Sequence, residues 1–268
     1  MSKRKSSLII ILLLVLTVSS CKSVQLKSRW IGNTNVEIDG EDNEWQNDRY
    51  YFVKEDVALD IMNDDEYLYL CFASPVNKIP EKMLMQGFTI WFDTKGKNKH
   101  KTGLRFVGES PIIDKENKFM KAQMHQGRRR IDVEMLKKKI HNIESKIEIL
   151  TSKKESNIYP INQVIGTEAK MNIKSRKFTF ELKIPFIQND VYTWSIGTEQ
   201  GSEVSVKLEI QKTNAHPPKG GSDGRLGGPF SEGGPPGGGK GLRRGGKKGG
   251  VNGAESPKIQ FTVKLAEK

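Results

Sequence analysis

Few side chains in this 268-residue sequence are suited to covalent chemistry. Of its two cysteines, Cys71 sits in the run Tyr67-Leu-Tyr-Leu-Cys-Phe72, far in sequence from any histidine that would take its proton. It reads as a small packed side chain, not a nucleophile. His100, His125, His141 and His216 show neither metal-ligand spacing nor a nucleophile motif. Asp60, Asp64, Asp65 and Asp93 are oxygen donors of the kind calcium takes, with Asp60, Asp64 and Asp65 the closest group. No calcium-loop spacing accompanies them, and solvated turn carboxylates are the plain alternative. Carboxylates for glycoside hydrolysis pair in space and leave no sequence mark. The best candidate for recognition is Trp91, with Asp93 beside it. Phe88, Ile90 and Phe92 alternate with it, so its indole points to the opposite face of a strand. An indole exposed there suits the C–H face of a pyranose ring, and a neighbouring carboxylate suits its hydroxyls. The alternative is that both faces of the strand are covered.

Cys21 is placed differently. Lys3-Arg4-Lys5 is a cationic start, Leu8 to Val18 is a hydrophobic run, and Val18-Ser19-Ser20-Cys21 closes it with small residues. Those are the three parts of a secretory signal, and the run is too short to span a bilayer. The last four residues resemble the lipobox of bacterial lipoproteins. That resemblance implies cleavage after residue 20 and acylation of Cys21, with palmitate among the chains. Several acyl chains on one residue suffice for stable anchoring. The implied location is the bacterial cell envelope, on the outer membrane. With Cys21 used in this way, Cys71 has no intrachain partner and a disulfide framework is excluded.

The elements that would position Trp91 are short strands. Residues 57–62, 67–72 and 88–93 alternate apolar and polar with period two, separated by turn residues at 63–66, 75–80 and 94–98. Alternation returns at 178–185, 192–197, 204–210 and 259–265. Between the two groups, Val133, Leu136, Ile140, Ile143, Ile147 and Leu150 follow a heptad stripe. It predicts an amphipathic helix over about 132–152, N-capped by Asp132. The stripe serves either the domain's own sheet or a second copy. Residues 1–20 are the signal peptide, 21–34 a lipidated tether, and 35–268 one domain. Within that domain, residues 217–253 hold sixteen glycines and five prolines. Such a stretch cannot bury enough surface to fold and is expected to be disordered. Its Arg243, Arg244, Lys247 and Lys248 are candidates for contact with anionic surfaces, in keeping with a chain net charge of +12. Nucleic acid is excluded as a partner by the secretory signal.

Four pieces carry a second resemblance: Val36-Glu-Ile-Asp-Gly-Glu-Asp-Asn-Glu-Trp45, Asp65-Glu-Tyr-Leu-Tyr-Leu70, Phe88-Thr-Ile-Trp-Phe-Asp93 and Phe180-Glu-Leu-Lys-Ile-Pro185. In this order they resemble the family 9 carbohydrate-binding modules and the wider DOMON-like group. The resemblance implies a β-sandwich that binds glycans without cleaving them, often with calcium. The helix and the glycine-rich stretch depart from that family's pattern. Trp45 is expected as a core plug at the end of the sandwich, above a tight turn at Asp39-Gly40.

The sequence therefore predicts a mainly β protein: a two-sheet antiparallel β-sandwich with one inserted amphipathic helix. It predicts no enzyme and no required cofactor, with calcium possible. The expected partners are membrane lipid, through Cys21, and a polysaccharide or anionic envelope surface. The rival function is a structural or assembly lipoprotein docked onto a membrane-protein partner. An open indole at Trp91 favours the first, and a covered one the second.

Overall fold

The computed structural model describes residues 24–45, 49–96, 101–108, 132–151, 156–192, 194–211 and 258–268. Cys21, His100, His125, His216 and the stretch 217–253 with Arg243, Arg244, Lys247 and Lys248 lie outside the described residues.

Two sheets face each other. The seven-stranded sheet runs β1 (Val24–Lys27), β13 (Lys258–Lys264), β12 (Glu203–Ile210), β6 (Gly87–Asp93), β7 (Lys101–Val107), β8 (Lys146–Leu150) and β9 (Ser156–Pro160). The other runs β10 (Glu168–Lys174), β11 (Lys177–Pro185), β5 (Tyr67–Pro75), β4 (Val57–Asn63) and β2 (Arg29–Trp30), with β3 (Tyr50–Phe52) also paired to β4. The mainly β, two-sheet sandwich is as expected. The pairing is antiparallel except at two edges, where β1 joins β13 and β2 joins β4 in parallel. The alternation explains the core. Leu59, Ile61, Leu68, Leu70 and Phe72 of one sheet meet Phe88, Ile90, Phe92, Leu104 and Phe106 of the other. Phe180 sits edge-on to both Phe88 and Phe106, with ring centroids 5.2 Å away in each case. Each such ring removes about 150–250 Å² from water, which makes these the largest single contributions to burial.

Four regions differ from the expectation. Residues 24–30, read as tether, form β1 and β2 and belong to the sheets. The predicted helix over 132–152 spans only Val133–Glu144, as α2, after α1 at Lys78–Gln86. Asp132 caps it as expected, accepting from the backbone N–H groups of Glu134 and Met135. Leu136, Ile140 and Ile143 pack into the main core. Beyond Ser145 the segment Lys146-Ile-Glu-Ile-Leu150 also alternates with period two, and pairing makes it a strand. Ile147 lies opposite Phe106 and Ile149 opposite Leu104, both on the inner face. Helix α1 went unpredicted because Pro80 reads as a turn. Its N-cap is Asn77, so the proline sits in the first turn, where no intrahelical N–H bond is lost. Residues 192–197, expected as a strand, are irregular where described, although Ile196 and Gly197 bond back to the carbonyls of Pro185 and Phe186.

Candidate functional site

The outward face of the seven-stranded sheet carries Trp91. Cross-strand register fixes its neighbours: Gly103 on β7, Lys207 on β12, and Gln260 on β13 beyond Lys207. Strands lie about 4.8 Å apart, so this row from Trp91 to Gln260 spans about 10 Å. The row toward one end holds Asp93, Ser205 and Thr262. The row toward the other end holds Thr89, Arg105 and Glu209. The strand sequences place a hydrogen-bonding side chain at nearly every outward position around one indole.

Gly103 explains how the indole lies. A methyl group there would sit 2.7 Å from Cε3 of Trp91, too close to be tolerated. The ring therefore rests over the bare backbone of β7, which protects one of its faces. It remains half-buried beside an open depression of about 350 Å³ lined by Trp91, Asp93, Gly96, Ser205, Lys207 and Gln260. Helix α2 directs its apolar stripe into the core instead. The polar groups of the depression are held in place. Lys207 Nζ is 2.9 Å from Glu209 Oε2, Ser205 and Thr262 hydroxyls are 3.0 Å apart, and Arg105 Nη1 is 2.8 Å from Glu148 Oε2. Asp93 has a structural task as well. Its Oδ1 accepts from the backbone N–H groups of Lys95 and Gly96, at 3.1 and 2.9 Å, and so shapes the turn at the rim.

The remaining sequence candidates are dispersed. Asp60 is 3% exposed on the opposite sheet and pairs with Arg49 Nε at 2.7 Å. Burial pushes its carboxyl up to about 6 against the pull of Arg49. Asp64 closes the β4–β5 turn, accepting from the backbone of Glu66 and Tyr67 and from the Tyr69 hydroxyl at 2.7 Å. Asp65 accepts from Gln200 at 2.8 Å. Among the described residues no group of three or more His, Cys, Asp or Glu side chains is placed to hold a metal ion. Cys71 is fully buried, and burial raises its thiol well above its usual range.

A second cluster lies on the outer face of the six-stranded sheet, where residues 31–45 form a roof. Ile31, Val36 and Trp45 pack on Met62, Tyr69 and Cys71, apart from the main core. Trp45 is fully buried as expected, but against the outer face of this sheet and not at the end of the sandwich. Glu181 holds the roof down. It accepts from the backbone N–H of Gly40 and from Trp45 Nε1, each at 2.5 Å. Two of the sequence pieces that stand far apart, residues 36–45 and 180–185, thus meet at one carboxylate. Gly40 has φ +86°, and an added methyl would lie 2.9 Å from Cβ of Asn172, so only glycine fits. Burial pushes Glu181 up to about 7, outweighing its two donors. Arg49 binds Asp42 at 2.8 Å in addition to Asp60, and Lys177 also reaches Asp42, at 2.5 Å.

The sequence singled out Trp91 and Asp93 but not their neighbours Ser205, Lys207 and Gln260, because pairing partners 112–169 positions away leave no local mark. Gly103 carried a usable signal: an isolated glycine inside a strand often marks the close approach of another group.

No family model matches the chain, and no curated protein matches its sequence. Among solved structures the chain is similar to a family 9 carbohydrate-binding module from Caldicellulosiruptor kristjanssonii in complex with cellotriose, at 10% identity and a TM-score of 0.35 over 90% of this chain and 95% of that one. It is also similar to a family 9 module from the same organism in complex with glucose, at 11% identity and a TM-score of 0.33 over 70% of this chain and 80% of that one.

Proposed function

We propose that this protein is a lipid-anchored envelope protein that binds a polysaccharide on the outward face of its seven-stranded sheet and does not cleave it. One observation carries the reading: the half-buried Trp91 indole lies over Gly103 beside an open depression lined by Asp93, Ser205, Lys207 and Gln260. An aromatic face among fixed donors and acceptors matches the two sides of a pyranose, its C–H face and its hydroxyl rim. The carboxylates nearest the indole are occupied, Asp93 by the rim turn and Glu209 by Lys207, which favours binding over hydrolysis. A covered indole would favour the rival reading as an assembly lipoprotein, and here the indole lies beside an open depression. The anchor at Cys21, the outer-membrane location and contact of Arg243, Arg244, Lys247 and Lys248 with anionic surfaces belong to the same proposal and rest on the sequence.

The test is affinity electrophoresis of residues 24–268 through gels containing neutral or acidic polysaccharides. Retardation by at least one polymer is expected, with at least about a fivefold loss of affinity in Trp91→Ala, by analogy with nucleobases, whose stacking on an aromatic side chain contributes about 1–3 kcal/mol. Equal mobility of wild type and Trp91→Ala in every gel would remove the reading. For the anchor, a fatty-acid analogue is expected to label the wild type and not Cys21→Ser.

A further inference from the structure

The edge of the sandwich formed by β1 and β3 exposes three large apolar side chains among lysines, and its position in the chain says what it faces. We infer that this edge, bearing Val24, Tyr51 and Val53, docks on the lipid bilayer that holds the anchor. The inference rests on the reading of Cys21 as the lipidated residue.

Chain length carries the argument. Pairing begins at Val24, which lies opposite Phe261 on β13. Three residue steps separate Val24 from Cys21, and they span at most about 11 Å when fully extended. Each headgroup layer of a bilayer is roughly 5–8 Å thick. A lipid on Cys21 therefore leaves the start of β1 within a few ångströms of the headgroups. A 14-residue tether would have let the domain float free; this chain does not have one.

What stands at that place suits a membrane interface. The Tyr50 hydroxyl accepts from the backbone N–H of Lys27 and donates to its carbonyl, at 3.1 and 3.0 Å, which fastens β3 beside β1. The Phe52 ring lies 6.0 Å from Phe261, the partner of Val24. Around this seam Val24 is 51% exposed, Tyr51 71% and Val53 87%. A tyrosine with an apolar body and a polar tip is favoured at headgroup depth. The charged groups around the seam include Lys27 on β1, Lys258 on β13, and Lys54, Glu55 and Asp56 in the turn after β3, while Lys264 bonds the Gly201 carbonyl and Asp60 on β4 pairs with Arg49. Asp56 is engaged by the Asn77 amide at 3.0 Å. Lys27, Lys54 and Lys258 suit lipid phosphates.

The experiment uses the full lipidated protein in vesicles of phosphatidylethanolamine and phosphatidylglycerol. Val53→Cys is spin-labelled; Cys71 is buried, and Cys21 is the acylated position. Ile187→Cys is the reference. It is 60% exposed and follows Phe186, whose N–H bonds the Glu66 carbonyl in the β4–β5 turn. That turn lies at the far end of β4 from Val53, about 20 Å away. The ratio of accessibility to dissolved oxygen over a water-soluble nickel chelate is expected to be at least about threefold higher at 53 than at 187, as for groups at the headgroup–acyl boundary. Inserting ten Gly/Ser residues between Ser23 and Val24 is expected to erase the difference while fatty-acid labelling persists. Equal ratios at 53 and 187 in labelled protein would overturn the docking alone. Loss of fatty-acid labelling at Cys21 would overturn the anchor and the docking together.

Discussion

The two outer faces of the sandwich start from the same pattern and end differently. Each sheet turns one set of side chains into the core and the other set outward, and each outward set contains a tryptophan's resting place. On the six-stranded sheet the segment 31–45 folds back and buries Trp45 to 0% exposure, with its indole N–H on Glu181. On the seven-stranded sheet Trp91 remains half-buried over Gly103, beside an open depression. The first face uses its tryptophan to close a second small core around buried charge. The second leaves its indole without a covering segment among the described residues. Alternation decides that a residue points outward; only a covering segment decides whether that residue becomes core or site.

The largest expected effect lies on the roofed face. Trp45→Ala removes a buried indole and leaves Glu181 without one donor, so a loss of about 3–5 kcal/mol in unfolding free energy is expected by urea titration. A loss below about 1 kcal/mol would mean that the roof is dispensable and the two faces are alike.

The roofed face should also give the fold its pH dependence. Folding raises Glu181 from its usual 4.5 to about 7 and Asp60 from 3.8 to about 6, both chiefly through burial. Between the usual and raised values the folded chain holds protons that the unfolded chain has released. Stability is therefore highest below about pH 4 from these two groups and falls as pH rises through 6 to 7. The Glu181 share is on the order of 3 kcal/mol. Glu181→Gln should flatten the slope between pH 5 and 7. An unchanged slope in that variant would assign it to other groups.

The open face should respond least. Trp91→Ala removes an indole that is only half-buried, so a stability change of about 1 kcal/mol or less is expected, alongside the loss of polysaccharide retardation. Gly103→Leu sharpens the contrast. A side chain at 103 must lift the indole from β7, costing about 1–3 kcal/mol and disturbing binding together with stability. If Trp91→Ala destabilised the fold as much as Trp45→Ala, the open face would be a second core and not a site.

Much of this was legible in the chain. Phe88-Thr-Ile-Trp-Phe-Asp93 announced a strand with Trp91 outward, because side chains on a strand alternate whatever surrounds them. Asp132 announced a helix start, because its side chain can satisfy free N–H groups locally. The far end of that helix was not legible, since Ile147 fits a heptad stripe and a strand alike until β7 presents Phe106 opposite it. The sequence by itself determined the mainly β class, the outward direction of Trp91 and the burial of Trp45 and Cys71, all consequences of local periodicity and residue type. Tertiary structure alone decided that β1 begins three residues after Cys21, that Glu181 joins two distant segments, and that Lys207 and Gln260 stand in one row with Trp91. Those depend on strand register between segments up to 237 residues apart, which is set by the sum of many weak contacts and by no single stretch of chain.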